Sequence, residues 1–189
     1  MTQTRFWLVR HAPVAGPAGI IHAADAPADV SDSAAIKGLS MCLHKNAGVY
    51  ASPARRTVET AAALGLFATM EPRFREQNFG ALTGRRHADL EREQPDIYSA
   101  FWRAAASNRV AGGESFVDQI ERVREGLATI ELADAVLVAH SGTVRAALAI
   151  ALDLAPERAL SFVIAPWSLT RLDRVGDGWR VEYVNRDPR

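Results

Sequence analysis

The chain has 189 residues, 48% hydrophobic and 23% charged, which fits one globular domain able to bury a core without disulfide or metal staples. Its 22 basic and 22 acidic residues cancel, which excludes a broad basic face for nucleic acid or a polybasic segment for a membrane surface. Cys42 is the only cysteine, so an intramolecular disulfide and a zinc–cysteine cluster are excluded as well.

The start, Met1-Thr2-Gln3-Thr4-Arg5, lacks the apolar core of a signal peptide, and no run approaches membrane-spanning length, so a cytoplasmic protein is expected. Phe6-Trp7-Leu8-Val9 is too short for a helix and reads as a buried strand, stopped by Ala12-Pro13. Arg10 and His11 therefore stand just past the carboxyl end of a central strand, the edge where open α/β sheets bind ligands. A guanidinium beside an imidazole suits an anion there; a strand cap and a loop histidine are the plainer alternative. Residues 12–30 are rich in Ala, Gly, Pro and Asp and read as an extended loop over that edge. His22 and Asp25 lie in it, each placed to touch a substrate or simply to meet solvent.

Ser31-Asp32-Ser33 offers an N-cap, and Ala35, Ile36, Leu39, Cys42 and Leu43 then recur at helical spacing up to Asn46-Ala47-Gly48. Cys42 reads there as a small buried apolar residue. Val49-Tyr50-Ala51 is a short strand, Ser52 follows it, and Pro53 is expected in the first turn of a helix running to about Leu64. Ser52 reads as the cap of that helix, with the positioning of Arg56 as the alternative. Arg55 and Arg56 are about 100° apart on a helix, so one faces the cleft and the other solvent.

Ala68–Met70 is a weak strand, and residues 73–80 mix carboxylate, arginine and aromatic side chains without a period. Residues 86–107 are helical with a break near Pro95 and carry Ile97, Tyr98, Phe101 and Trp102 as a core or roof stripe. Gly112-Gly113-Glu114-Ser115 turns into an amphipathic helix bearing Phe116, Ile120, Val123, Leu127 and Ile130, with Glu114 expected to cap it and brace the cleft. Ala135–Ala139 is a second buried strand that ends in His140-Ser141-Gly142, and a helix begins at once. Residues 168–174 and 179–184 alternate about Gly176-Asp177-Gly178 as a β-hairpin, where Trp167 could join an apolar edge or the core.

If the three strands ending at His11, Ser52 and His140 are neighbours, two histidines and two arginines converge on one cleft, and the chain after His140 adds a helix N-terminus. Such a cleft fits a phosphoryl group, because guanidinium forks bind its oxygens and a neutral imidazole is a nucleophile toward phosphorus. The histidines at 11, 22, 44, 87 and 140 show no close metal-ligand spacing, so no metal and no cofactor are expected. Nothing divides the chain, which reads as one domain over 1–189 with residues 12–30 and 73–113 as loops and cap around the site.

Leu8-Val9-Arg10-His11, Ser52-Pro53-Ala54-Arg55-Arg56 with Thr60-Ala61, Glu76 ahead of Phe79-Gly80, Gly112-Gly113-Glu114-Ser115, and Val138-Ala139-His140-Ser141-Gly142 occur together in this order. The set resembles the histidine phosphatase superfamily, also called phosphoglycerate mutase-like, over roughly residues 4–150. The resemblance implies a three-layer α/β/α sandwich with a mostly parallel central sheet and helices on both faces. It also implies His11 as the nucleophile that carries a phosphohistidine. Arg10, Arg56, His140 and the backbone N–H of Ser141 would hold phosphoryl oxygens, with His140 protonated beside the dianion. Glu76 would serve as the proton donor and later the base.

Ala12, Val14, Pro17 and Thr83 depart from residues common in the family at those places, while Arg-His-Ala-Pro is similar to the start of α-ribazole phosphatases. Family mutases carry extra segments that shut out water, so the short loops here favour hydrolysis of a small phosphomonoester, without nucleic acid or membrane. A phosphoglycerate mutase-type transferase and a non-catalytic phosphate-binding protein are the alternatives.

Overall fold

The computed structural model describes residues 3–189; Met1 and Thr2, the start of the polar N-terminus, lie outside them. Among the described residues six strands form one sheet: β1 (Gln3–Arg10), β2 (Gly48–Ala51), β3 (Thr69–Met70), β4 (Asp134–Ala139), β5 (Leu169–Val175) and β6 (Gly178–Arg186). Their order is β3-β2-β4-β1-β5-β6. The first four are mutually parallel, and the β5–β6 hairpin adds antiparallel to the far side of β1.

Side chains alternate across a strand, so β1 feeds two cores. Phe6 and Leu8 pack with Leu137 of β4 against α5 (Phe116–Ala128) and α6 (Ser141–Leu152). Trp7 and Val9 pack with Val136 and Val138 against α1 (Ser33–Cys42) and α2 (Arg55–Ala63). Both faces are covered, which is why β1 and β4 read as unbroken apolar runs. The result is the three-layer α/β/α sandwich that the sequence implied.

Several boundaries differ from expectation. α1 ends at Cys42, because Leu43 is already extended with ψ 143°, and Cys42 is half-buried. Pro53 precedes α2 by two residues: Ser52 Oγ accepts from the Ala54 N–H at 3.3 Å, and this turn brings Ala54 to the N-cap without a side-chain cap. The helical stretch near Pro95 splits as expected into α3 (His87–Glu93) and α4 (Pro95–Arg103). Of its apolar stripe only Phe101 is buried; Ile97 and Trp102 are 56% and 43% exposed. Trp167 lies in the core, with a backbone φ of 62°. The short α7 (Pro156–Ala159) leads on toward β5.

Residues 12–30 are fastened down along much of their length. Ile21 N–H donates to Arg85 O, Gly84 N–H to Ile21 O and His87 N–H to Gly19 O, while Ile21, Leu82 and Leu90 share a small apolar cluster.

Candidate active site

The register of β1 on β4 pairs Arg10 with Ala139, so His11 and His140 leave two adjacent parallel strands at the same level. β2 lies on the other side of β4 and brings Ser52 to the same edge, its N–H donating to Val138 O at 3.1 Å. The two imidazoles meet edge to face, ring centroids 5.1 Å apart.

His11 is buried, and its backbone N–H donates to Ala139 O at 2.9 Å. Its Nδ1 lies 2.5 Å from Ala12 O, a contact that requires Nδ1 to carry the proton and leaves a lone pair on Nε2. Arg56 Nε donates to that Nε2 at 3.3 Å and anchors its other end on Ala23 O at 2.8 Å. Burial, then His140 and Arg56, pushes the His11 pKa well below its ordinary 6.5, so the ring stays neutral. Arg55 points away and pairs with Glu59, which is the division between adjacent helical residues that the sequence required.

His140 is fully buried as the N-cap of α6. Its Nε2 lies 2.8 Å from Ser52 Oγ, and its Nδ1 has no partner among the described residues. Burial first, then Arg56, Arg10 and Arg122, holds its pKa well below the ordinary range. With these neighbours alone the ring is neutral; the expected charge on His140 was that of a ring beside a phosphoryl dianion, which acts in the opposite direction. Arg10 donates through NH1 to Ile164 O, while its Nε is buried with no partner among the described residues. Burial lowers the pKa of Arg10 and Arg56, and Glu76 opposes that shift in each. Two guanidiniums taken out of water, together with the unpartnered Arg10 Nε and His140 Nδ1, are surroundings that favour an anion.

Glu76 stands on irregular chain at the side of this floor. Its Oε1 accepts from the Gln77 N–H at 3.1 Å and from Gln119 Nε2 at 3.2 Å. Its Oε2 accepts from Ser141 Oγ and the Gly142 N–H, each at 3.3 Å. The Ser141 hydroxyl therefore faces the carboxylate. Arg56 and Glu76 share the lining of a cleft of about 570 Å³ with His22, Arg75, Asn78 and Thr83. A second hollow of about 100 Å³ lies beyond Glu76, among Phe101, Trp102, Phe116 and Arg145.

His22 is on the cleft lining, whereas Asp25 is exposed and off it. Glu114 braces as expected, accepting from the Asn78 N–H at 2.9 Å and pairing with Arg122. The cap, however, belongs to Ser115, which forms a reciprocal capping box with Asp118. Ser52 caps no helix and instead holds His140, a contact sequence reasoning missed. Gln119 was missed too; its signal was a polar residue inside the buried stripe of α5. Arg145, anchored on Phe162 O, follows Ser141 by one helical turn and was also overlooked. Among the described residues no group of three or more His, Cys, Asp or Glu is arranged to hold a metal ion, and no helix is long and apolar enough to cross a membrane.

The family profile of the histidine phosphatase superfamily (branch 1) matches residues 6–187. The chain belongs to this superfamily. Among solved histidine phosphatase-like structures, the α-ribazole phosphatase of Shigella flexneri superposes with a TM-score of 0.83 at 21% identity, covering 97% of each chain. The mycobacterial glucosyl-3-phosphoglycerate phosphatase gives 0.81 at 25% identity, over 97% of this chain and 99% of that one. A bifunctional protein of Mycobacterium tuberculosis is 33% identical over 115 residues, 57% of this chain and 31% of that protein. The match thus spans about a third of the length of this curated relative.

Proposed function

We propose that the protein hydrolyses small phosphomonoesters through a phosphohistidine on His11, without a metal ion. The observation that carries this reading is the His11 tautomer: Nδ1–H is spent on Ala12 O, so the Nε2 lone pair faces Arg56 in a site that keeps the ring neutral. In the first step Nε2 attacks phosphorus and the bond to the ester oxygen breaks. Glu76, in its carboxylic form, gives that oxygen its proton. In the second step the Glu76 carboxylate takes a proton from water as the water oxygen attacks phosphorus. The N–P bond breaks, and phosphate leaves with His11 restored.

Arg10 and Arg56 neutralise the phosphoryl oxygens and His140 helps to orient them, the unpartnered Arg10 Nε and His140 Nδ1 supplying donors, and the N-terminus of α6 at Ser141 adds its dipole. Phosphoryl transfer through a loose transition state needs chiefly this positioning and charge. The cleft volume of about 570 Å³ suits a small metabolite as leaving group. Two relatives that share the fold are named phosphatases, which supports hydrolysis over transfer.

The test is turnover of p-nitrophenyl phosphate in excess chelator by the native protein and by His11→Ala. The reading expects activity that survives chelation and vanishes in the variant. Equal turnover in both, or a native protein that binds phosphate and turns nothing over, overturns it.

A further inference from the structure

We propose that Gln119 is a positioning residue for Glu76, and that residue 142 is glycine because the same cradle needs the space. The inference rests on the reading of Glu76 as proton donor. Gln119 is completely buried on the apolar face of α5, between Phe116 and Val123. Its Nε2 donates to Arg75 O at 3.1 Å and to Glu76 Oε1 at 3.2 Å, while its Oε1 has no partner among the described residues.

A buried amide with an unsatisfied acceptor is a local fault that an apolar side chain of similar size would remove. The bond to Arg75 O does not justify it. That carbonyl also accepts from Arg122 NH1 at 3.2 Å, and Thr143 Oγ1, whose one proton goes chiefly to Phe74 O at 3.0 Å, lies 3.3 Å away, so Arg75 O has a charged donor without Gln119. On Glu76 Oε1 the only other donor among the described residues is the adjacent Gln77 N–H. Gln119 is thus the one long-range side-chain anchor on that oxygen, opposite the Ser141 and Gly142 donors on the other.

A second, independent sign comes from α6. Residue 142 is in its first turn, where alanine favours a helix over glycine. A Cβ there would collide with Glu76 Oε1 and come within 2.7 Å of Gln119 Oε1. The chain has given up local stability on both sides of one carboxylate. A proton donor must be held to a fraction of an ångström, and that demand accounts for both faults.

The test compares Gln119→Leu with the native protein on two substrates, an alkyl phosphate that needs a proton donor and p-nitrophenyl phosphate that scarcely does. The expected result is a kcat/KM loss of about tenfold on the alkyl ester and under about threefold on the aryl ester, since kcat/KM reports the step in which the leaving group departs. The melting temperature should be equal or higher because the orphaned oxygen is gone. An unchanged alkyl-to-aryl ratio overturns the inference, because a merely structural glutamine would alter both rates together. If Gln119→Leu fails to fold, Gln119→Met and Gly142→Ala decide by the same ratio. Failure of the parent reading shows separately, as turnover that persists in His11→Ala or as a Glu76→Gln variant with no leaving-group preference.

Discussion

The floor and the side wall of the cleft are built from different kinds of chain. His11 and His140 stand on the ends of adjacent parallel strands, and ladder bonds fix their backbones; the His11 N–H donates straight to Ala139 O. Glu76 stands on irregular chain between two short turns and owes its place to side chains from elsewhere: Gln119 of α5, Ser141 of α6, and the Glu114–Arg122 pair that ties down residues 73–78. In the proposed reaction the floor binds charge, which every phosphoryl group shares, and the wall handles the leaving group, which differs between substrates. A floor fixed by the sheet and a wall fixed by side chains would let the wall vary between members of one fold while the floor stays the same.

The comparison breaks if wall and floor variants respond alike. The largest contrast is expected for Glu76→Gln, which should lose about 100-fold on alkyl phosphates and under about tenfold on p-nitrophenyl phosphate. Equal losses on both would remove Glu76 from proton transfer. Ser52→Ala strips the partner from a fully buried His140 Nε2, and should cost about 1–3 kcal/mol in denaturant unfolding and about tenfold in rate on either ester. A loss confined to one ester would place Ser52 with the wall.

The floor also predicts a pH signature. Below pH 6.5 the unfolded chain protonates His11 and His140 while the fold keeps them neutral, so the unfolded state binds more protons. Stability should therefore fall as pH drops from about 6.5, by up to about 1.4 kcal/mol per unit for each ring. Unfolding midpoints at pH 7.5 and 5 check this, and His11→Asn should have the shallower slope. The smallest effect is expected for Arg55→Ala, under about twofold in kcat/KM, since Arg55 faces solvent beside the buried Arg56.

The same contrast explains what could be read from the sequence. Strand-borne residues announce themselves: Phe6–Val9 and Ala135–Ala139 are apolar on both faces, and the residue after each is a histidine. The pairing of Arg55 and Arg56, one outward and one inward, followed from helical geometry alone. Contacts across the fold left no such trace. Ser52 looked like a helix cap because local chemistry allowed it, yet the β2–β4 pairing delivers it to His140, 88 residues away. Gln119 is 43 residues from Glu76, and only its odd place in an apolar stripe marked it. The surroundings of His140 were hidden for a related reason. Proximity to an anion can be guessed from a motif, but total burial beside three arginines belongs to the packed molecule.

The most direct measurement is a rapid-quench experiment with a ³²P-labelled aryl phosphate, followed by mapping of the labelled peptide. The account predicts a transient, acid-labile and base-stable phosphoramidate on Nε2 of His11, absent from His11→Ala. Turnover with no covalent label, or a label on any other residue, would contradict it.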